Sequence, residues 1–167
     1  MAGASSSYTG LEARIYPINL GWSEYKIGII RVIDGILQPV QVAAINESLG
    51  DKGIVAGCPS HVDPCQALLS LLYMLEDEAS GSTRIRNRAI RWIAAIQGYR
   101  QAREVIEFVR EVREILVVGL KADTEILVNE VLGLLGVKRE TPISVEPLYT
   151  CDPASLAEVT LKRINNI

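Results

Sequence analysis

Apolar residues along this chain change period several times, and each change marks an element. Residues 11–18 are apolar enough for an additional strand or an ordered arm. Residues 25–33 (YKIGIIRVI) are β-branched and aromatic and end at Asp34-Gly35, which predicts a strand. Residues 41–49 predict a short helix, closed by Gly50-Asp51, and residues 53–57 (GIVAG) a brief buried strand. Asp63-Pro64 opens a helix to about residue 78: the aspartate caps free N–H groups, and a proline in the first turn has no N–H to lose. Leu68, Leu69, Leu71, Leu72 and Leu75 give that helix a broad apolar face, fit for the core.

The later chain continues the alternation. Ile85, Ala89, Trp92, Ile93 and Ile96 recur at helical spacing, with Trp92 inward. Gly98 stops this helix and permits a sharp turn. A second helix is expected over residues 99–109, with Ala102, Val105, Ile106 and Val109 inward. Residues 115–120 (ILVVGL) predict a strand, Asp123 caps a helix over 124–135 closed by Gly136, and residues 143–147 (ISVEP) predict another strand. Asp152-Pro153 repeats the capped start and opens a last helix to about residue 164. Helices and strands interleave throughout. The expected fold is a two-layer α/β (α+β) domain: one small mixed sheet packed with about six helices. The expected organisation is an N-terminal extension over residues 1–22 and one domain over 23–167.

Composition narrows the class. The chain has 167 residues, 49% of them hydrophobic and 22% charged, which suits one globular domain. Its apolar runs are broken by charge, so no membrane span is expected. MAGASSSYTG lacks the basic start and apolar stretch of a signal peptide. Three cysteines cannot all pair, no disulfide scaffold is indicated, and an intracellular, cytoplasmic protein is expected.

Charge is where the chain departs from the ordinary. The net charge is -3. Yet residues 84–113 hold eight of seventeen basic residues: Arg84, Arg86, Arg88, Arg91, Arg100, Arg103, Arg110 and Arg113. Only Glu104, Glu107 and Glu111 oppose them, so the segment is +5 and the remainder -8. One reading is an anion-binding surface. Planar guanidinium forks match phosphate oxygens, and Tyr99 beside the turn would stack on an unpaired base. The other is a solvated face with Arg100–Glu104 and Arg103–Glu107 pairs. A pI near 5.3 argues against wholesale coating of nucleic acid but leaves one local contact open.

Other constellations are weaker. Cys58, His61 and Cys65 form a short cluster that Asp63 or Cys151 would have to complete for zinc. A helix start with Cys65 in the core accounts for the same residues. Nothing supplies the orienting group and oxyanion pocket that a Cys-His nucleophile needs. No phosphate-binding glycine motif is present. Glu76, Asp77 and Glu78 read as a solvated helix end rather than a magnesium site.

Residues 89–108 (AIRWIAAIQGYRQAREVIEF) resemble the motif of the PRPK-binding (TPRKB-like) subunit family of the KEOPS/EKC complex. That family's Ser-Gly-x-Arg-Gln-Ile corresponds here to Gln97-Gly98-Tyr99-Arg100-Gln101-Ala102, so the serine and isoleucine positions differ. Further segments fall in family order: 25–33, 63–78, 115–120, Val145-Glu146-Pro147 and 153–164. The resemblance covers about residues 24–167. It implies a non-catalytic accessory subunit without a cofactor, binding tRNA, including its 3′ CCA end, and the kinase-like ATPase subunit of the complex. Such a subunit supports threonylcarbamoyladenosine modification of tRNA. Gly98, Arg100 and Gln101 come from the motif. Arg84, Arg86, Arg88, Arg91 and Arg103 are added on charge, and Tyr99 on its place at the turn. Leu156, Val159, Leu161 and Ile164 are the expected partner-facing residues.

Overall fold

The computed structural model describes residues 7–21, 23–82, 85–137 and 143–165. β1 (Gly10–Asn19) and β2 (Glu24–Ile33) form an antiparallel hairpin paired from Gly10↔Ile33 to Asn19↔Glu24. α1 (Pro39–Leu49) and a 3-10 turn lead to β3 (Gly53–Cys58). α2 (Pro64–Ala79), α3 (Arg88–Gln97) and α4 (Ala102–Phe108) follow, then β4 (Glu114–Gly119), α5 (Thr124–Leu134), β5 (Ile143–Val145) and α6 (Pro153–Asn165). The sheet order is β3-β4-β2-β1-β5. All neighbours are antiparallel except β1 and β5. β4 therefore slots between β2 and β3, which run parallel and are joined by a crossover through α1. The described residues form a single α+β domain with a five-stranded mixed sheet and six helices, the expected class, but helices lie on both faces of the sheet, so there are three layers rather than the expected two.

Strand periodicity divides the interior in two. Ile54, Ala56, Leu116 and Val118 point to one face, under Leu68, Leu71, Met74, Trp92, Ile93 and Ile96 of α2 and α3. Their neighbours Val55, Ile115 and Val117 point to the other, with Val42 and Ile45 of α1 and Leu127, Val128 and Val131 of α5. Burial on both faces explains why β4 reads as an unbroken apolar run. Gly28 lets α5 approach closely: a Cβ there would sit 2.5 Å from Val128 Cγ2. Trp92 is fully buried, and its indole N–H donates to Ala67 O at 2.8 Å, so its one polar atom is satisfied.

Three further expectations are sharpened or changed. Residues 10–19 form the additional strand allowed for 11–18, and it is built into the sheet of the domain. β1 lies between β2 and β5, and its Ala13, Ile15 and Ile18 are buried, because the hairpin leaves one of its faces to each core. The cysteines do form a bridge: Cys65, at the start of α2, is bonded to Cys151, just before α6, with Cα atoms 5.6 Å apart. The two lie 86 residues apart, and linear spacing does not show that α6 returns to the first turn of α2. Asp123 makes no side-chain cap bond. Thr124 holds that corner instead, accepting from Gly119 N–H (2.9 Å) and donating to Lys26 O (3.2 Å). Asp63 does cap α2, accepting from Cys65 N–H at 3.3 Å.

Candidate nucleic-acid interface

The arginine segment is built around a left-handed turn. Asn87 caps α3 by accepting from Ile90 N–H at 3.1 Å, so Ile85 and Arg86 precede the helix rather than belonging to it. Gly98 ends α3 at φ 74°, ψ 29°, a conformation that costs a residue with a Cβ roughly 1–2 kcal/mol. The N–H groups of Gly98 and Tyr99 both return to Ala94 O. α4 begins only at Ala102, because Gln101 is extended (φ -126°, ψ 144°). Glu104 serves as a backbone cap, accepting from Arg100 N–H and Gln101 N–H at 3.1 Å each. Tyr99 is half-buried and packs edge-to-face on Phe108, with ring centroids 5.7 Å apart.

Carboxylates from outside the segment neutralise part of it. Arg88 Nε donates to Glu78 Oε2 at 3.0 Å, and its Nη2 contacts Glu78 Oε1. Arg91 Nη1 donates to the same carboxylate at 2.8 Å, and its Nη2 to Arg86 O at 3.0 Å. The hydrogen bond from Arg88, with its charge and that of Arg91, holds the Glu78 carboxyl below the usual glutamate range. Arg163 Nη2 donates to Asp77 (3.0 Å) and Glu76 (3.3 Å), and its guanidinium lies 4.2 Å over the Tyr73 ring. The acidic end of α2 is thus a counterion cluster rather than a solvated helix end.

Between α2, α3, the Gly98 turn and α6 lies a cavity of about 440 Å³. Arg91, Gly98, Tyr99 and Arg100 line it, as expected residues; Lys162, Arg163, Tyr73 and Asp77 line it too. Arg100 Nη2 donates to Asn165 O (3.2 Å) and Lys162 Nζ to Ile96 O (3.3 Å), so the end of α6 is drawn against the turn. Arg91 Nε is buried and finds no acceptor among the described residues. Arg86, Arg88, Gln101 and Arg103 do not line this cavity, and Arg84 lies outside the described residues. Lys162 and Arg163 are not singled out by sequence reasoning. Their only signal is basic charge in the last turn of a helix, which the helix dipole favours anywhere.

The remaining candidates sort by burial. Val159 is 1% exposed and belongs to the core, so it offers nothing to a partner; the apolar spacing of α6 conceals this. Leu156 is partly buried against the same core, whereas Leu161 and Ile164 are well exposed. Ile106, expected inward, is 61% exposed: α4 turns Val105 fully into the core and leaves Ile106, the next position round the helix, at the surface.

The cysteine cluster separates. Cys65 is committed to its disulfide. Burial, then the nearby Glu114 charge, push the Cys58 thiol well above its usual range, away from thiolate chemistry. His61 Nδ1 lies 2.7 Å from Glu114 Oε2, and Val62 N–H donates to the other oxygen at 2.9 Å. No group of three His, Cys, Asp or Glu arranged to hold a metal occurs among the described residues. Among them, too, no helix is long and apolar enough to cross a membrane. No protein-family model and no curated protein matches the chain.

Proposed function

We propose that this chain is a non-catalytic accessory subunit that binds RNA at the Gly98 turn. The observation that carries this is the cavity joining Gly98-Tyr99-Arg100 to Arg91, Lys162 and Arg163. Cations from two sequence-distant helices meet there beside an aromatic ring. Arg100 and Lys162 take phosphate oxygens. The half-buried Tyr99 ring gives a base a surface to lie on. In the setting that the family resemblance implies, the RNA is tRNA with its 3′ CCA end. The exposed Leu161 and Ile164 on α6 face the kinase-like ATPase subunit, and the assembly makes threonylcarbamoyladenosine.

The second reading is a protein-only scaffold, favoured by the clamp of Arg88 and Arg91 on Glu78, which leaves those arginines little charge to offer. One titration separates the two. Binding of intact tRNA and of tRNA lacking CCA is measured across a salt series for wild type and Arg100→Ala/Lys162→Ala. These two side chains are chosen because they are not part of the Glu78 clamp. RNA binding at this site predicts affinity that falls with salt. The log–log slope should become shallower by roughly 0.7 for each phosphate that the variant no longer neutralises. Equal binding by wild type and variant removes the site. Equal binding of both tRNAs removes only the 3′-end assignment.

A further inference from the structure

A second concavity has the opposite chemistry. It is an apolar groove of about 240 Å³ whose floor is Val55–Gly57 of β3 and whose walls are α1, α3 and α4. Val40, Ala43, Ile90, Ile93, Ile106 and Val109 line it, and it shares no residue with the cavity at the Gly98 turn. Two of its apolar rim residues stand in solvent, Val40 at 73% and Ile106 at 61% exposed. Exposing both beside an unfilled apolar trough is unfavourable unless something covers them.

The charge around the groove is uneven. Arg103 and Ile106 are one helical turn apart on the outer face of α4, and Arg110 follows Val109. Arg86 adjoins Asn87 at the α3 end of the groove. None of these three exposed arginines makes an ion pair with a carboxylate among the described residues; Arg110 Nε donates only to Glu107 O. The acids near the rim in sequence are Glu104, Glu107 and Glu111 and, on α1, Glu47; of these, Glu104 is taken by the N–H groups of Arg100 and Gln101 and Glu111 by Arg113. An added strand is disfavoured: Val55 N–H, on the outer edge of β3, already donates to Asn46 Oδ1 at 2.9 Å.

We propose that this groove docks an acidic amphipathic helix of a partner protein. Apolar side chains of that helix, one turn apart, enter the trough between Val40 and Ile106. Its carboxylates meet Arg86, Arg103 and Arg110. An apolar floor favours a protein over RNA, since it offers a nucleic-acid backbone nothing to bind.

The test selects from a displayed library of about 14-residue helical peptides, roughly four turns, with apolar residues fixed one turn apart and the other positions random. The bait is the full chain. Selected peptides are expected to be acidic at the random positions. Ile106→Asp should weaken them at least about tenfold, because it removes an apolar wall of the trough and sets a carboxylate against the peptide's own acids. Arg103→Glu/Arg110→Glu should weaken them too, and swapping the peptide's acids for lysine should restore binding to that variant. All three substituted residues are exposed, so folding is retained and is checked by thermal melts. Failure to enrich any peptide, enrichment of neutral or basic ones, or binding indifferent to Ile106→Asp overturns the proposal. So does a dimer of wild type that Ile106→Asp dissociates, since a second copy would then be the occupant. So does loss of oligonucleotide binding in Arg103→Glu/Arg110→Glu with no peptide enriched.

Discussion

Arg88 and Arg91 on α3 differ from Arg103 on α4 and Arg110 just after it, although all four lie in one basic segment. The first pair shares the Glu78 carboxylate and fastens α3 to the end of α2. The second pair makes no ion pair with any carboxylate among the described residues. Counting arginines therefore overstates the field that a ligand meets. The charge of a segment is set by what folds against it, and here the acidic end of α2 folds against one side only. Outside that clamp stand Arg100 and Lys162 at the polar cavity and the arginines around the apolar groove.

The largest expected effect tests what holds the neutralised side together. Arg163 brings α6 to Glu76 and Asp77, and the Cys65–Cys151 bond pins the start of α6 to α2. Cys151→Ser is expected to lower unfolding free energy by about 2–4 kcal/mol, the usual range for a bridge closing a long loop. Denaturant titrations with and without a reductant check this. Reductant should bring wild type down to the variant and leave the variant unmoved. An unchanged wild type would mean that α6 is held by packing and ion pairs alone.

A smaller effect tests the clamp. Glu78→Gln removes the charge that Arg88 and Arg91 share and should cost about 1 kcal/mol, given partial exposure and solvent screening. Its pH dependence is more specific. The Glu78 carboxyl is held below the ordinary glutamate value near 4.5, so its contribution is fully present above that value and is lost as pH falls through the folded one. Wild type should therefore lose stability in that acid window, and Glu78→Gln should lose less there. Identical acid slopes would show that the two arginines do not depend on Glu78.

Much of this was legible in the sequence, for identifiable reasons. Strands β2 to β4 and the capped start of α2 are local, since β-branched runs and an Asp-Pro pair carry their own physics. The turn at Gly98 was readable because few other residues accept a positive φ. The bridge between Cys65 and Cys151 and the return of α6 were not, because both depend on a tertiary approach across 86 residues. The Glu78 clamp lay between these cases. α2 and α3 are consecutive and joined by eight residues (80–87), so a clamp between the acidic end of one helix and the basic start of the next was within reach of the chain. Treating Glu76, Asp77 and Glu78 as merely solvated overlooks that possibility. The apolar groove was hidden for another reason. Ile106 sits at an inward spacing, but Val105 takes the centre of the buried face and Ile106, about 100° further round, is left exposed.

The smallest expected effect is on the unclamped side of the comparison. Arg103→Gln/Arg110→Gln removes two positive charges that no carboxylate among the described residues holds, so folding stability should change by less than about 0.5 kcal/mol. Thermal melts at low and at high salt provide the measurement. Salt should weaken wild type through the Glu78 and Arg163 pairs, and it should weaken the double variant equally, because those pairs are intact in both. A destabilisation as large as that of Glu78→Gln would mean that α4 is fastened by its arginines after all. An unchanged melt, together with weakened affinity for acidic helical peptides, would establish that these two side chains serve a partner rather than the fold.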